Sequence, residues 1–268
     1  MIGFVIFGIV IALAVLLLFL VFPALRRHPD RAMFEGKFIA HRGLHGGIVP
    51  ENSMAAFRLA AEKGYPIETD IHLTKDGRVA VFHDDDLKRM CGDERKPEEL
   101  TLSELKELRL AGTEETIPSL EEVLELAGGK VPLLIEFKCM SLDVTNRLCE
   151  AAAPILDEYG GQYAIQSFFP FVPRWYKKHR PKVMRGQLSS GFYRDKLPNR
   201  MAGALLFNMF SRPDFVAYDQ NNCRNFFFRL CTGLGAMPLG WTFKDKTALE
   251  RGKKYYKGFI FENEETIK

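Results

Sequence analysis

The chain has 268 residues, of which 47% are hydrophobic and 26% are charged, and its formal net charge is +3 at pH 7. This length suits one sizeable domain plus an appendage, because a single barrel of about 250 residues is ordinary. The small, mixed charge excludes the strongly basic profile of nucleic-acid-binding proteins, so we expect no nucleic-acid partner.

An apolar segment opens the chain. Residues 2–22 contain no charged or polar side chain, only apolar residues and two glycines. As a helix they reach about 31 Å, roughly the thickness of the hydrocarbon core of a bilayer. A cleaved signal peptide is the competing interpretation, but the segment lacks a basic n-region, its apolar run is too long, and no small-x-small site follows. We therefore predict a retained transmembrane helix over residues 2–22.

The flanks of this segment indicate its orientation. Arg26, Arg27 and Arg31 follow it, whereas nothing basic precedes it. Under the positive-inside rule, this asymmetry predicts a single-pass protein of the cell membrane whose residues 26–268 lie in the cytoplasm. The five cysteines agree, because their odd number and their lack of CxxC spacing are typical of reduced thiols. The lipid bilayer is then a partner, and the basic trio adds a modest attraction to anionic headgroups.

A short linker, residues 23–36, leads to a domain that we predict over residues 37–268. In this domain β-rich runs alternate with helix-like stretches, which is typical of βα units and a mainly parallel sheet. The helix-like stretches are 53–63 with Asn52 as N-cap, 101–109 with the capping-box pair Thr101 and Glu104, 119–127 and 142–158. The strand-like runs are 38–40, 67–73, 78–82, 132–137, 163–166, 183–187, 214–218, 237–242 and 258–261.

Nine strand-like runs are one too many for an eight-stranded barrel. A hairpin explains the surplus, because Asp76-Gly77 is a strong type I′ turn signal between the second and third runs. An open doubly wound sheet is the alternative, but no glycine-rich phosphate loop opens the first helix of the domain. We therefore predict an α/β fold, a TIM (β/α)8 barrel preceded by one transmembrane helix.

The predicted hairpin brings polar side chains together. With Asp76 and Gly77 as the two turn residues, Asp70 lies directly opposite His83. Glu68 and Asp70 lie on one face of their strand, because strand side chains repeat every second residue. Clustered carboxylates repel each other unless they share a proton or a cation. The cluster therefore indicates a divalent metal ion.

Two further strand-like runs end in polar pairs. His41 and Arg42 follow the first run, and Glu136 and Lys138 lie at the end of the stretch 132–138, on one face of its strand. A structural salt bridge between Glu136 and Lys138 is an equally good explanation of that pair. In a TIM barrel the C-terminal ends of the strands meet at the active face, so these four side chains could converge with Glu68, Asp70 and His83.

The residue types at this predicted mouth suit the cleavage of a phosphodiester. Three acids with oxygen ligands suit Mg²⁺ or Ca²⁺ rather than a thiolate-bound Zn²⁺. Two histidines suit general acid and base work, and an arginine and a lysine suit the charge of a phosphate. In that order, the residues are Glu68, Asp70 and Glu136; His41 and His83; Arg42 and Lys138.

Eight short motifs follow one another along residues 38–268. They include A-H-R-G at 40–43, P-E-N-S at 50–53, I-E-T-D-I-H-L-T-K-D-G-R at 67–78, V-F-H-D-D-D-L at 81–87, I-P-S-L-E-E-V-L at 117–124, I-E-F-K at 135–138, Q-S-F at 166–168 and W-T at 241–242. Together they resemble the glycerophosphodiester phosphodiesterase family. The resemblance implies a TIM-barrel enzyme of lipid metabolism that hydrolyses glycerophosphodiesters to glycerol 3-phosphate and an alcohol. It implies the same metal, acid–base and phosphate-binding residues, with a glycerol hydroxyl or a water as nucleophile.

The chain departs from the family pattern at two places. The family usually ends its last strand in T-D-x-P, whereas this chain has Phe261, Glu262 and Asn263, and the region 168–232 is divergent and rich in phenylalanine. We expect neither to touch the metal or histidine residues. Trp241 and Tyr218, at strand ends, either shape an apolar wall for the alcohol or pack in the core.

Two other functions are compatible with the sequence. One is a lysophospholipase D that acts on membrane lysophospholipids. The other is a catalytically inactive, membrane-tethered binding domain, which the complete set of histidines and acids argues against.

Overall fold

Eight parallel strands form a closed barrel in the computed structural model, which describes residues 1–191 and 196–268. The first strand pairs with both the last strand and the second, so the sheet closes and the alternative of an open doubly wound sheet is wrong. The predicted TIM-type fold is confirmed. The strands are β1 Phe38–Ala40, β2 Ile67–Leu73, β3 Val79–Val81, β4 Leu133–Phe137, β5 Tyr163–Ser167, β6 Met184–Ser189, β7 Phe215–Asp219, β8 Met237–Phe243 and β9 Gly258–Phe261.

The surplus strand is β3, which pairs antiparallel with β2 as predicted, but the predicted register is wrong by one residue. Ile71 pairs with Val81, and the amide of Phe82 donates to the carbonyl of Asp70, so Asp70 faces residue 82 and not residue 83. The cause is a three-residue turn, 75–77, in place of a two-residue one. The Thr74 hydroxyl donates to Asp76 Oδ1 at 2.5 Å, and Gly77 adopts a φ of 75°, which extends the loop by one position.

Helices cover the outside of the barrel, and the structure corrects one predicted cap. Ser53 caps the helix that follows β1 by accepting from the Ala56 amide. The side chain of Asn52 instead donates to Asp70 on β2. The Thr101 capping box is confirmed. The helices are α1 Ile2–Val21, α2 Met54–Glu62, α3 Lys88–Cys91, α4 Leu102–Lys106, α5 Leu120–Ala127, α6 Leu142–Asp157, α7 Phe171–His179, α8 Leu197–Gly203, α9 Asn208–Ser211, α10 Phe226–Gly233 and α11 Lys246–Gly252. Short 3-10 helices occupy Pro29–Met33, Pro97–Glu99, Leu110–Gly112, Gln220–Asn222 and Glu264–Thr266.

The first helix is long and apolar enough to cross a membrane, and almost all of it projects from the barrel. Its C-terminal end is anchored to the barrel. Val21 is fully buried, and its carbonyl accepts from the Asn208 amide of α9. The guanidinium of Arg212 donates to the carbonyls of Phe19 and Phe22 at 2.8 and 2.9 Å. These side chains satisfy carbonyls that the end of a helix would otherwise leave unpaired.

The linker after α1 follows the N-terminal rim of the barrel. It fills the end of the barrel interior with Met33 and Phe34, which pack among inward-facing strand residues. Along the way it contacts four carbonyls that lie one or two residues before strands β6, β7, β8 and β9. The contacts are His28 to Lys182, Ala24 to Pro213, Arg31 to Gly235 and Gly36 to Lys257. The membrane-like helix is therefore attached at the end of the barrel opposite the C-terminal ends of the strands.

Candidate active site

A small cavity of about 90 Å³ opens at the C-terminal ends of the barrel strands. Six of the seven site residues predicted from the sequence line it, and the seventh, Asp70, is 1% exposed directly beside them. The lining residues are His41, Arg42, Glu68, His83, Glu136, Lys138, Gln166, Phe168, Leu188, Trp241, Thr242 and Ile260.

Three buried carboxylates form an acidic cluster in this cavity, defined here as Glu68, Asp70 and Glu136. Glu68 and Asp70 share one face of β2, and Asp70 is the register partner of Glu136 on the neighbouring strand β4. One carboxylate oxygen from each lies within 4.8 Å of the others. Adjacent parallel strands therefore bring three oxygen ligands to one point, as the alternation of side chains requires.

Without a metal ion, the three carboxylates of the acidic cluster repel one another when ionised. Burial, together with Asp70 and Glu136, raises the pKa of Glu68 well above its usual range. Burial also raises the pKa of Glu136 to about 7, although Lys138 opposes the shift. Burial disfavours the Asp70 carboxylate too, but Lys138, His83 and Arg42 outweigh it and hold the pKa of Asp70 low.

The acidic cluster could hold a divalent metal ion. Oxygen Oδ1 of Asp70 is buried and accepts no well-aligned hydrogen bond in the described part of the chain, although Lys138 Nζ lies 3.0 Å away. A hard cation with oxygen ligands would relieve both the repulsion among the carboxylates and this unsatisfied acceptor. The donor set thus fits the metal that the sequence predicts.

Arg42 reaches the acidic cluster through both its backbone and its side chain. Its φ of 55° and the φ of 78° at Gly43 turn the chain sharply after β1, and a Cβ at Gly43 would lie 2.8 Å from the carbonyl carbon of Ala56. The Arg42 amide donates to Glu68 Oε2 at 3.0 Å. Its guanidinium donates to Glu51 at 2.6 Å and lies 3.6 Å from Asp70. Glycine is needed at position 43 because the backbone there closely approaches Ala56.

Lys138 lies between two of the carboxylates. Its Nζ is 2.7 Å from Glu136 Oε1 and 3.0 Å from Asp70 Oδ1. Burial lowers the pKa of Lys138, but Asp70 and Glu136 outweigh it, so the lysine remains charged. The salt bridge that the sequence left as an alternative is present, and it lies within the cavity.

His41 has a partner that the sequence did not predict. Its Nδ1 lies 3.5 Å from Glu262, the residue directly after β9, and Glu262 also binds Lys244 at 2.5 Å. Burial lowers the pKa of His41 to about 4, in spite of the opposing contact with Glu262. The expectation that the unusual end of the last strand lies away from the histidines is therefore wrong. The available signal was the position of Glu262 at the C-terminal end of a barrel strand.

His83 is held by a series of ion pairs. Its Nδ1 lies 2.6 Å from Asp84, and Arg89 Nε donates to Asp84 at 2.6 Å. Arg89 also binds Glu51, the partner of Arg42. Burial lowers the pKa of His83, while Asp70 and Asp84 oppose the shift. The two histidine segments are thus linked through Glu51, which sequence reasoning overlooked.

Aromatic residues complete the cavity. Trp241 lines it, packs edge-on against Phe168 with ring centroids 5.7 Å apart, and leaves its buried Nε1 without a hydrogen-bond acceptor among the described residues. Tyr218 instead is fully buried in the core, where its hydroxyl donates to the Gly203 carbonyl. Of the two aromatic residues considered for an apolar wall, only Trp241 reaches the site.

Comparisons with known proteins show which family this chain resembles. Residues 41–226 match the model of the glycerophosphoryl diester phosphodiesterase family. A glycerophosphodiester phosphodiesterase of Caldanaerobacter subterraneus subsp. tengcongensis is 38% identical over 162 residues, which cover 56% of this chain and 65% of that protein. The human protein named lysophospholipase D GDPD1 is 30% identical over 178 residues, or 60% of this chain and 55% of that protein. The chain spans less than two thirds of the length of both relatives.

Solved structures share the fold. A phosphodiesterase of Oleispira antarctica, in complex with the product sn-glycerol-3-phosphate, superposes with a TM-score of 0.69 at 25% identity and covers 85% of this chain and 93% of its own. A glycerophosphodiester phosphodiesterase of Thermotoga maritima has a TM-score of 0.67 at 24% identity, covering 86% and 96%. With the family model matching more than half of its residues, this chain belongs to the glycerophosphoryl diester phosphodiesterase family.

Proposed function

We propose that this protein is a metal-dependent phosphoric diester hydrolase that cleaves glycerophosphodiesters to glycerol 3-phosphate and an alcohol. The observation that carries the proposal is the single cavity in which two histidines, two cations and the acidic cluster meet. Its location at the C-terminal ends of the strands is where TIM-barrel enzymes have their active sites. The relatives named as glycerophosphodiester phosphodiesterases support the substrate class.

In this proposal the acidic cluster binds one divalent ion. Glu68, Asp70 and Glu136 offer only oxygen ligands, which suit Mg²⁺ or Ca²⁺ better than softer metals. When bound, the ion supplies Lewis-acid stabilisation of charge on a phosphoryl oxygen. Lys138 would then be released from the carboxylates that now neutralise it.

Arg42 and Lys138 hold the phosphate of the substrate. Both line the cavity, and both side chains are about 13% exposed, so they are partly shielded from water. Charge-assisted hydrogen bonds of this kind position a phosphate and stabilise its developing charge. The small volume of the cavity fits a phosphate with a small polyol better than a larger group.

His41 and His83 form the acid–base pair. His41 is neutral at pH 7 because burial holds its pKa at about 4, so its ring can accept a proton. One histidine takes the proton of the nucleophile, and the other protonates the leaving alkoxide. The nucleophile is either a water or the glycerol hydroxyl of the substrate.

Soluble diesters are the preferred substrates in this proposal. The linker contacts occur at the N-terminal rim of the barrel, so α1 is attached at the end opposite the cavity. A substrate that arrives from water reaches the cavity more readily in this arrangement than one embedded beside α1. The second candidate, lysophospholipase D activity, is motivated by α1 itself and by the relatives named for that activity.

A substrate panel separates these two activities. Purified full-length protein is given glycerophosphocholine in solution and, separately, lysophosphatidylcholine in vesicles, and the released products are measured. We expect faster turnover of the soluble diester. Cleavage of the vesicle-borne lysolipid with no cleavage of any soluble diester would replace the first proposal with the second.

The division of the chain and its membrane orientation belong to the same proposal. We propose a membrane helix at residues 2–22, a linker at 23–36 and a cytoplasmic catalytic domain at 37–268, because Arg26, Arg27 and Arg31 follow the helix. A Glu114→Cys variant in a Cys91→Ser background tests this orientation, since the Glu114 side chain is 98% exposed. An impermeant thiol reagent should label it in lysed cells only. Equal labelling of intact cells would reverse the orientation.

A further inference from the structure

A basic groove of about 460 Å³ lies at the N-terminal rim of the barrel, far from the cavity described above. It is formed where the linker passes the end of α10 and the starts of β8 and β9. Five cationic side chains and a single carboxylate line it. They are Arg27, Arg31, Arg229, Lys254, Lys257 and Glu35.

Most of the positive charge in this basic groove is not neutralised. Glu35 pairs with Arg31 at 3.7 Å, and Arg31 also donates to the carbonyl of Gly235 at 3.0 Å. The other four cations form no ion pair or side-chain hydrogen bond with any residue in the ranges 1–191 and 196–268, and all four are exposed. Unpaired cations gathered in a concave surface create a local potential that attracts an anion.

The basic groove adjoins the anchored end of α1. Arg27 follows Val21 by six residues, which span at most about 20 Å. Helix α10 contacts both features: Arg229 lines the groove, while Cys231 lies in the core with Val21 and contacts Asn208, the residue that binds the Val21 carbonyl. An occupant of the groove would therefore lie close to the point where α1 leaves the barrel.

We propose that the basic groove binds the phosphate headgroup of an anionic phospholipid in the bilayer that α1 enters. The charge of the groove is complementary to such a headgroup. The groove also lies next to the place on the barrel where α1 is attached. This inference shares with the proposed function the assignment of α1 as a membrane helix, but it requires no catalytic activity. The bound lipid would hold the N-terminal rim against the membrane and keep the cavity facing water.

Binding of a fluorescent phosphatidylglycerol to full-length protein in neutral detergent micelles tests the proposal. The test variant is Arg229→Gln/Lys254→Gln. The matched control is Lys75→Gln/Arg147→Gln, which removes two exposed charges far from the groove. We expect about tenfold weaker binding in the test variant and unchanged binding in the control, since each basic residue near an anionic headgroup contributes a several-fold factor.

Competition identifies the ligand. Unlabelled phosphatidylglycerol should displace the probe, whereas phosphatidylcholine and millimolar inorganic phosphate should not. Equal displacement by inorganic phosphate would show a site for free phosphate and overturn the proposal, as would wild-type affinity in the test variant. Hydrolysis of a soluble diester, measured on the same samples, should be equal in all three proteins. Loss of hydrolysis everywhere with lipid binding intact would count against the proposed function only.

Discussion

The buried carboxylates of the acidic cluster explain, at the scale of single residues, why a cation should stabilise this protein. Burial, together with repulsion from Asp70, raises the pKa of Glu68 and Glu136, so the folded chain is under electrostatic stress when both are ionised. A ligand that binds only the folded state stabilises it, by about 2.7 kcal/mol at a hundred times its dissociation constant. Metal binding should therefore be visible without any assay of activity.

Adding Mg²⁺ or Ca²⁺ to metal-free protein should raise its melting temperature, and Glu68→Ala should remove most of this rise. The variant loses one of the three metal ligands. It also loses a buried carboxylate, so its metal-free form should be destabilised by no more than the cavity left by the shortened side chain costs. Differential scanning fluorimetry with and without metal measures both effects. An equal metal-induced rise in wild type and variant would exclude the acidic cluster as the site.

His41 should make the protein less stable in acid. Its folded-state pKa of about 4 lies below the ordinary value of 6.5, so the unfolded chain binds the proton more tightly. The free energy of unfolding should fall as pH falls from about 6.5 to about 4, by at most about 3 kcal/mol from this residue. Denaturant unfolding across this range should show a smaller loss for His41→Asn than for wild type. Parallel profiles for the two proteins would contradict the assignment of a buried neutral imidazole.

At the scale of elements, the attachment of α1 depends on few side chains. Arg212 donates to the carbonyls of Phe19 and Phe22 and its guanidinium lies 4.9 Å from the centre of the Phe19 ring. Hydrogen bonds that involve a charged group contribute about 1.5–3 kcal/mol each. The last turn of α1 should therefore be held to the barrel mainly by this residue, Asn208 and the buried side chain of Val21.

Replacing Arg212 by Ala should loosen this end of α1 without unfolding the barrel. Hydrogen exchange of residues 19–36 should become faster, because the carbonyl caps are lost, whereas exchange in β4 and β5 should not change. The matched control is Arg200→Ala on α8, an exposed arginine of the same helical region. Exchange that is unaffected by Arg212→Ala would mean that the contacts contribute little to the attachment.

The elements themselves were largely predictable from the chain. The bounds of β1, β2 and β9 agree with the predicted β-rich runs, and the surplus strand follows from the turn signal at Asp76-Gly77. The register of that hairpin was not predictable from the turn signal, because a side-chain hydrogen bond from Thr74 lengthens the turn. Glu262 was missed for a related reason: its partner His41 is distant in sequence and becomes a neighbour only when β1 and β9 pair.

At the scale of the whole molecule, the structure shows which end of the barrel carries α1. No local sequence pattern indicates this. From the sequence, residues 23–36 were predicted only as a short linker. Instead it follows the N-terminal rim and fills the end of the barrel with Met33 and Phe34. The candidate active-site cavity and α1 thus lie at opposite ends, an arrangement that depends on tertiary contacts of the linker with four separate strand starts.

Two truncated chains should distinguish the contribution of the linker from that of α1. A chain that begins at Pro23 retains the linker contacts and should hydrolyse soluble glycerophosphodiesters at nearly the full-length rate. A chain that begins at Met33 loses the contacts of His28 and Arg31, and its free energy of unfolding should fall by about 1–3 kcal/mol. Equal stability of the two truncated chains, measured by denaturant unfolding, would show that the linker is only a spacer.

Release of sn-glycerol 3-phosphate from glycerophosphocholine by the purified full-length protein tests the proposed activity most directly. The product is measured with metal, after chelation, and after metal is restored, for wild type and for His41→Ala. We expect release that stops on chelation and returns with Mg²⁺ or Ca²⁺, and a rate lower by about 10²–10⁴-fold in His41→Ala, as is typical of general acid–base groups. Release that persists in the chelated protein, or full activity in His41→Ala with its metal-induced stabilisation intact, would contradict the proposed mechanism.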